Sequence, residues 1–296
     1  MKNFVLIGAA GYIAPRHMQA IKETGNNLIA ALDPHDSVGV LDSYFPDCDF
    51  FTEFERFDRH CDKIKRQGIA IDYVVVCSPN YLHDAHIRFG LRIGADVICE
   101  KPVVLNPWNL EALLQLEKET GRKVYVVHQL RYHPEIIKLK ERVRNSAPDK
   151  VWNIDLQYIT PRGKWYQYSW KGDETKSGGV ITNIGLHFFD ILLWIFGGVK
   201  EMNLTKRTNQ TASGSLRLDK AVVQWAMSID KEFLSAINQE ANLSSLRSLI
   251  IEGNKVDFSI GFEELHTQAY LSILNGQGIE IEATKEVVYL LQKMRS

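Results

Sequence analysis

An amine, an imidazole and a carboxylate are the side chains best placed to do chemistry. Lys101 lies in Glu100-Lys101-Pro102, just past the apolar run Asp96–Cys99. Pro102 fixes its own φ and keeps Lys101 out of the helical region, so an amine sits on the rim where a strand stops. Asn183, His187 and Asp190 recur at i, i+4 and i+7 within the apolar stretch 180–199. On one continuous helix they share a face. A polar stripe on a buried helix must meet partners or a wet cleft. Imidazole suits general acid–base work near neutral pH, and Asp190 can orient the ring. Lys101 and His187 are therefore candidates for taking a proton from a substrate. The plain alternative for His187 is a satisfied core histidine.

The elements that must hold these groups follow from hydrophobic pattern. Residues 4–7, 28–32, 49–52, 73–77, 96–99 and 124–127 read as strands, with helices over 12–24, 38–44, 53–66, 81–93 and 106–120 between them. The strands are apolar throughout, so both faces are covered, which predicts a doubly wound parallel sheet. Beyond residue 128 come a helix at 134–145, a strand at 151–159, a polar aromatic stretch at 161–179 and a helix at 182–196. Strands at 201–207, 214–218, 221–229, 245–252 and 255–258 follow, then helices at 262–274 and 281–294. Strands without intervening helices predict an antiparallel sheet. The expected organisation is an α/β domain, 1–124, and an α+β domain with a mostly antiparallel open sheet, 125–296.

Composition excludes several classes. With 296 residues, 45% hydrophobic, 24% charged and a net charge of −1, the chain is an ordinary globular protein without a basic surplus. No nucleic acid or anionic membrane surface is expected as a partner. Asn183, His187 and Asp190 are costly in a bilayer, so 180–199 reads as a buried helix. The opening apolar run is only a strand long and leads into a glycine turn, so no leader is expected. Cys48, Cys61, Cys77 and Cys99 form no Cys-x-x-Cys pair and read as reduced thiols of a cytoplasmic protein. His83 and His86 lie at i, i+3 without a third ligand, so they read as turn or surface histidines and no metal is expected.

Gly8-Ala9-Ala10-Gly11-Tyr12-Ile13-Ala14 follows the first strand. Gly8 allows the tight turn, Gly11 the close approach of a pyrophosphate, and Ala14 close helix–strand packing. Tyr12 and Ile13 open a helix whose N-terminal N–H groups favour an anion. Asp33, 22 residues past Gly11, ends the second strand. An acidic residue there contacts the ribose of NAD and repels the extra phosphate of NADP; the alternative is a turn aspartate before Pro34. Asp36 and Ser37 are secondary ribose candidates. Ser78 and Asn80, at a further strand end, can line the cofactor or simply start a helix. Arg162, Lys164, Lys171 and Lys176 interleave with Trp165, Tyr166, Tyr168 and Trp170. Cations beside stacking platforms suit an anionic ligand carrying rings. Arg131 is a further cation at a strand end.

Taken together, Gly-Ala-Ala-Gly-Tyr-Ile-Ala, Ser-Pro-Asn-Tyr-Leu-His, Cys-Glu-Lys-Pro and Asn-Ile-Gly-Leu-His-Phe-Phe-Asp resemble the glucose-fructose oxidoreductase / inositol dehydrogenase (Gfo/Idh/MocA) family over nearly the whole chain. Residues 8–17, 162–173 and 262–270 resemble, more narrowly, the bacterial UDP-N-acetylglucosaminuronate 3-dehydrogenases. The resemblance implies NAD-dependent oxidation of a sugar-nucleotide 3-hydroxyl in surface polysaccharide (O-antigen, lipopolysaccharide) biosynthesis, a homotetramer, and in some relatives 2-oxoglutarate as the hydride acceptor. It also implies Gly8, Gly11, Tyr12, Ile13, Asp33, Asp36, Ser78, Asn80, His83, Glu100 and Lys101 as cofactor contacts. Lys101, His187 and Asp190 take the catalytic roles, and Arg131, Arg162, Lys164, Trp165, Tyr166 and Asn183 the substrate. Lys101 serves as base only with a lowered pKa, which burial beside a positive nicotinamide supplies; otherwise it polarises the oxygen while His187 takes the proton. Rival readings are another sugar or inositol dehydrogenase, an NAD-dependent glycosidase of the same fold, and a non-catalytic regulator.

Overall fold

The computed structural model describes residues 1–237, 244–256, 262 and 264–296. The chain forms two compact units, Met1–Gln129 with Glu263–Lys285 and Leu130–Phe262 with Glu286–Ser296. The sequence pattern suggested a single cut after residue 124; instead a late segment returns to the first unit.

In the first unit, β1 (Asn3–Ile7), β2 (Asn27–Leu32), β3 (Asp49–Phe51), β4 (Tyr73–Val76), β5 (Asp96–Cys99) and β6 (Val124–Val126) form a parallel sheet in the order β3-β2-β1-β4-β5-β6. This is a doubly wound order, and ligands in such sheets bind outside the strands' carboxyl ends where the order reverses, here between β1 and β4. Every residue of β4 is buried, as strands covered on both faces require. Each fully buried Val or Ile contributes about 1.5–3 kcal/mol. The helices are α1 (Ala14–Glu23), α2 (Val40–Tyr44), α3 (Phe54–Arg66), α4 (His83–Arg92) and α5 (Pro107–Thr120). Gly8 has φ +96°, and a Cβ there would lie 2.6 Å from the Cys77 carbonyl carbon and the Ser78 nitrogen. The β1–α1 turn can therefore cross the end of β4 only as glycine.

The second unit contains α6 (Pro134–Arg144), β7 (Trp152–Ile159), α7 (Trp165–Tyr168), α8 (Glu174–Ser177), α9 (Gly179–Asn183), α10 (Leu186–Phe196), β8 (Val199–Arg207), β9 (Thr211–Leu218), β10 (Ala221–Ser228), α11 (Lys231–Ile237), β11 (Leu246–Ile251) and β12 (Asn254–Lys255). Its sheet runs β12-β11-β7-β10-β9-β8, antiparallel except for the parallel pair β7–β10. Alternating burial along β7 and β10 gives the sheet one core face, covered by α10, where Phe188, Phe189, Leu192 and Phe196 are buried. The helix over α11 had no counterpart in the sequence pattern, and the outer part of the expected strand 255–258 lies outside the described residues.

The segment that returns to the first unit carries α12 (Leu265–Leu274), which packs on α1, with Thr267 donating to Glu23 at 2.7 Å. The chain then passes β6, where Val126 N–H donates to the Ile279 carbonyl, and enters α13 (Lys285–Arg295).

The expected helix 182–196 is two helices. α9 ends at Asn183, and the pair Glu174–Asn183 and Leu186–Phe196 is bent by 52°. A Cβ at Gly185 would meet the Ile181 carbonyl oxygen and the Met227 sulfur, so the backbone lies too close to its neighbours for any other residue. No single described helix is long and apolar enough to cross a membrane.

Candidate functional site

The carboxyl ends of β1, β2, β4 and β5 hold the candidate cofactor residues. No side chain caps the start of α1, which has Pro15 in its first turn, leaving a helix terminus suited to a pyrophosphate. Tyr12 beside it is 94% exposed and free to cover a ligand. The buried Asp33 accepts from Ala10 N–H through Oδ2 and from His35 N–H through Oδ1, both at 2.9 Å. It is thus a turn aspartate, and each oxygen keeps a lone pair for a ribose hydroxyl. Asp36 is exposed just beyond. The donor set and the glycine turn fit a dinucleotide.

Ser78 and Asn80 are buried at the end of β4. Ser78 Oγ lies 2.8 Å from His86 Nδ1, and burial beside His83 lowers the His86 pKa to about 4. Of the two places its spacing allowed, turn or surface, His83 takes the turn. It is 1% exposed, with ring nitrogens 2.7 Å from the Pro102 carbonyl oxygen and 2.8 Å from that of Ser78. Burial lowers its pKa, so the neutral ring donates to one carbonyl at a time and ties the β4 turn to the Lys101 turn. The Lys101–Pro102 peptide bond is cis.

The Glu100 carboxylate turns inward and is only 7% exposed. Its Oε1 lies 3.0 Å from His17 Nε2 and 3.2 Å from His266 Nε2, and its Oε2 accepts from Lys101 N–H at 3.2 Å. Tyr270 OH sits 2.8 Å from His17 Nδ1. Burial alone would raise the Glu100 pKa, but the imidazole N–H groups outweigh it and hold the carboxyl well below its ordinary range. Sequence reasoning missed His17, His266 and Tyr270. The available signal was a polar pair at i, i+4 on an apolar helix, His266 and Tyr270. His17, Glu100 and His266 are also the group of potential metal ligands among the described residues, with ligand atoms within 4.8 Å of one another.

In the second unit, the break before α10 separates Asn183 from His187 and Asp190, so the three do not lie on one helix face. Asn183 instead donates to Tyr166 OH at 2.6 Å, and burial raises the Tyr166 pKa against that hydrogen bond. Asp190, expected behind His187, takes a bidentate fork from Arg131, Nε at 2.9 Å and Nη2 at 2.6 Å. Arg131, expected to hold a substrate carboxylate, therefore spends two donors on Asp190. Its guanidinium lies 5.5 Å from the Trp194 ring, which Lys140 also approaches at 3.5 Å. His187 is half-buried on α10. Arg162 and Lys164 are exposed, as is Trp165. Lys171 lies 5.6 Å from the rings of both Trp165 and Trp170, and burial, then Arg162, lowers its pKa. A cavity of about 100 Å³ opens between Tyr166, Lys171, Ile181 and Arg207.

Comparison with known proteins extends this picture. Residues 2–128 match the model of an oxidoreductase family with an NAD-binding Rossmann fold, and residues 140–227 that family's C-terminal alpha/beta domain. The structure resembles the WlbA (WbpB) dehydrogenase from Thermus thermophilus in complex with NAD and alpha-ketoglutarate, with 44% identity and a TM-score of 0.95 over 100% of this chain and 95% of that one. It resembles the same dehydrogenase in complex with NAD and UDP-GlcNAcA at 43% identity and a TM-score of 0.94, over the same shares of the two chains. A relative from Bacillus subtilis, named "Putative oxidoreductase YteT", is 28% identical over 203 residues, 67% of this chain. That match spans 47% of YteT, so the chain covers about half the length of such curated relatives. A glycine turn crossing β4, a lysine at the end of β5 and two matching domain models lead to one assignment: the chain belongs to the Gfo/Idh/MocA oxidoreductase family.

Proposed function

We propose that this protein oxidises the 3-hydroxyl of UDP-N-acetylglucosaminuronic acid to the 3-keto sugar nucleotide with NAD. The observation that carries this reading is the likeness, 43% identical over the whole chain, to a dehydrogenase solved with NAD and UDP-GlcNAcA. Oxidising an alcohol removes its proton and passes a hydride from the carbon; bound NAD supplies the hydride acceptor. Asp33 and the start of α1 bind and orient the dinucleotide. Lys101 and His187 are the groups that can take the hydroxyl proton, and Lys101→Met and His187→Gln, compared by kcat, separate the two. Arg162, Lys164 and Trp165 offer charge and a stacking face to the uronate and nucleotide, with Tyr166 and Asn183 behind them.

The reading extends to 2-oxoglutarate as the compound that reoxidises NADH, taking up the hydride and a proton to become a 2-hydroxy acid. It includes a homotetramer, a cytoplasmic site, and a place in surface polysaccharide biosynthesis. The test is incubation of the purified protein with UDP-N-acetylglucosaminuronate, NAD and 2-oxoglutarate, read by mass spectrometry. Loss of two hydrogens from the uronate, but not from UDP-N-acetylglucosamine, is the expected result. No oxidation despite measured NAD binding would overturn the substrate and favour another sugar dehydrogenase or a glycosidase.

A further inference from the structure

We infer that His266 and Tyr270 of α12, with His17 of α1, are positioning residues that fix Lys101 through the Glu100 carboxylate. The inference rests on the reading of Lys101 as a group at the reacting alcohol. The four side chains come from three elements, with His17 bridging 83 positions to Glu100 and 253 to Tyr270. His17 and Tyr270 are 0% exposed, His266 5% and Glu100 7%.

The protons in this chain have one consistent arrangement. Burial, with Cys77 and Glu100 nearby, pushes the Tyr270 pKa well up, so the phenol keeps its proton and donates it to His17 Nδ1. Burial lowers the His17 pKa, so that ring is neutral and its remaining proton is on Nε2, which donates to Glu100 Oε1. His266 Nε2–H donates to the same oxygen. Oε2 is left to receive the backbone N–H of Lys101. The other groups facing the carboxylate are His83 and the Cys77 and Cys99 thiols. Burial raises both thiols well above their usual range, so they stay protonated.

Packing alone does not account for this set. A buried carboxylate is stabilised only when its hydrogen bonds offset desolvation, and apolar residues of similar size usually do as well. A phenylalanine would fill the space of Tyr270; the hydroxyl adds only the bond that sets the His17 tautomer. What the carboxylate adds is direction. Its second oxygen ties down the first backbone group of the Lys101 turn, and the chain returns to this unit after residue 262 to supply the donors. A metal bound by His17, Glu100 and His266 would have to displace both imidazole protons, which the hydrogen-bonded arrangement already uses.

The test compares Lys101→Met, His266→Leu, His266→Gln and Tyr270→Phe in the full-length protein, with melting temperature, kcat and KM measured for each. His266→Leu is expected to lower kcat by about 10- to 100-fold, the scale of a small misplacement of a reacting group, with both KM values little changed. His266→Gln, whose amide N–H reaches about as far as Nε2, recovers most of that loss. Tyr270→Phe costs a few-fold. Wild-type kcat in His266→Leu, or equal losses in the Leu and Gln variants at wild-type melting temperature, would overturn the inference. If His266→Leu does not fold, Tyr270→Phe decides, and an unchanged kcat rejects it. One equivalent of metal in the purified protein, with activity lost to a chelator, also overturns it. Full activity in Lys101→Met instead removes the Lys101 reading on which the inference rests.

Discussion

Each unit buries a carboxylate beside its candidate chemistry, and the two are held differently. Glu100 is stabilised by N–H donors alone, two from imidazoles and one from the backbone. Asp190, 2% exposed, is stabilised by the full charge of Arg131, 10% exposed, in a fork backed by Trp194. A network of imidazole donors depends on where its protons sit and can be tuned by its members. A guanidinium fork keeps its charge at any ordinary pH and is a geometric clamp. The lysine turn is therefore expected to respond to pH and to subtle donor substitutions, and the α10 region to charge removal.

The largest effect should come from breaking the fork. Asp190→Ala takes away the carboxylate that accepts the fork of the largely buried Arg131, which costs about 3–5 kcal/mol. Urea denaturation followed by tryptophan fluorescence measures it. The double variant Arg131→Met/Asp190→Leu should recover most of the loss, because a buried ion pair only narrowly offsets its own desolvation. A double variant as unstable as the single one would mean that the fork organises more than its own charges. Glu100→Leu should cost at least about 2 kcal/mol, at about 1–3 kcal/mol for each of the His17 and His266 N–H groups left unsatisfied.

A pH series sharpens the contrast. His17, His83 and His86 all have lowered pKa values in the folded protein. As pH falls below about 6.5 the unfolded chain takes up protons that the folded one refuses, so stability present above 6.5 is lost on acidification. For His86 the loss runs from 6.5 down to about 4, where it titrates in the fold, and is worth at most about 3 kcal/mol. The carboxylate acts in the same direction at lower pH: the contribution of Glu100 is present above its unfolded value of 4.5 and lost below it. The urea midpoint should fall steadily from pH 7 to 5, and His86→Gln should flatten that slope. A flat wild-type profile would contradict the neutral-imidazole account.

The two units also differ in what their sequences disclose. The inner parallel strands were legible because they are apolar runs buried on both faces, a signal carried by neighbouring residues; the edge strand β3 is a short, half-exposed Asp-Phe-Phe. Gly8 was legible because a turn crossing β4 demands it. The break between α9 and α10 was not, since the apolar pattern runs straight through residues 180–196 and only the crowding of Gly185 against Ile181 and Met227 reveals it. The Glu100 network was hidden for a related reason. His17 and His266 each look like one histidine on an ordinary helix, and their meeting depends on α12 returning to α1 across most of the chain. The Arg131–Asp190 fork spans 59 positions and changed the reading of both residues.

The smallest effect tests which partner of a hydrogen bond its loss harms. Tyr166 is 3% exposed, while Asn183 is half-buried on the last turn of α9. Tyr166→Phe removes the acceptor, and the partly exposed Asn183 amide can turn to water, so the expected loss is about 0.5–1 kcal/mol. Asn183→Ala removes the donor and leaves a buried hydroxyl with nothing in its place, so it should cost about 1–3 kcal/mol. The two variants delete the same 2.6 Å bond, and the difference between their urea midpoints isolates the burial of the survivor. Equal losses would mean that Asn183 is as sealed from water as Tyr166, and that its amide serves the packing of α9 rather than a ligand.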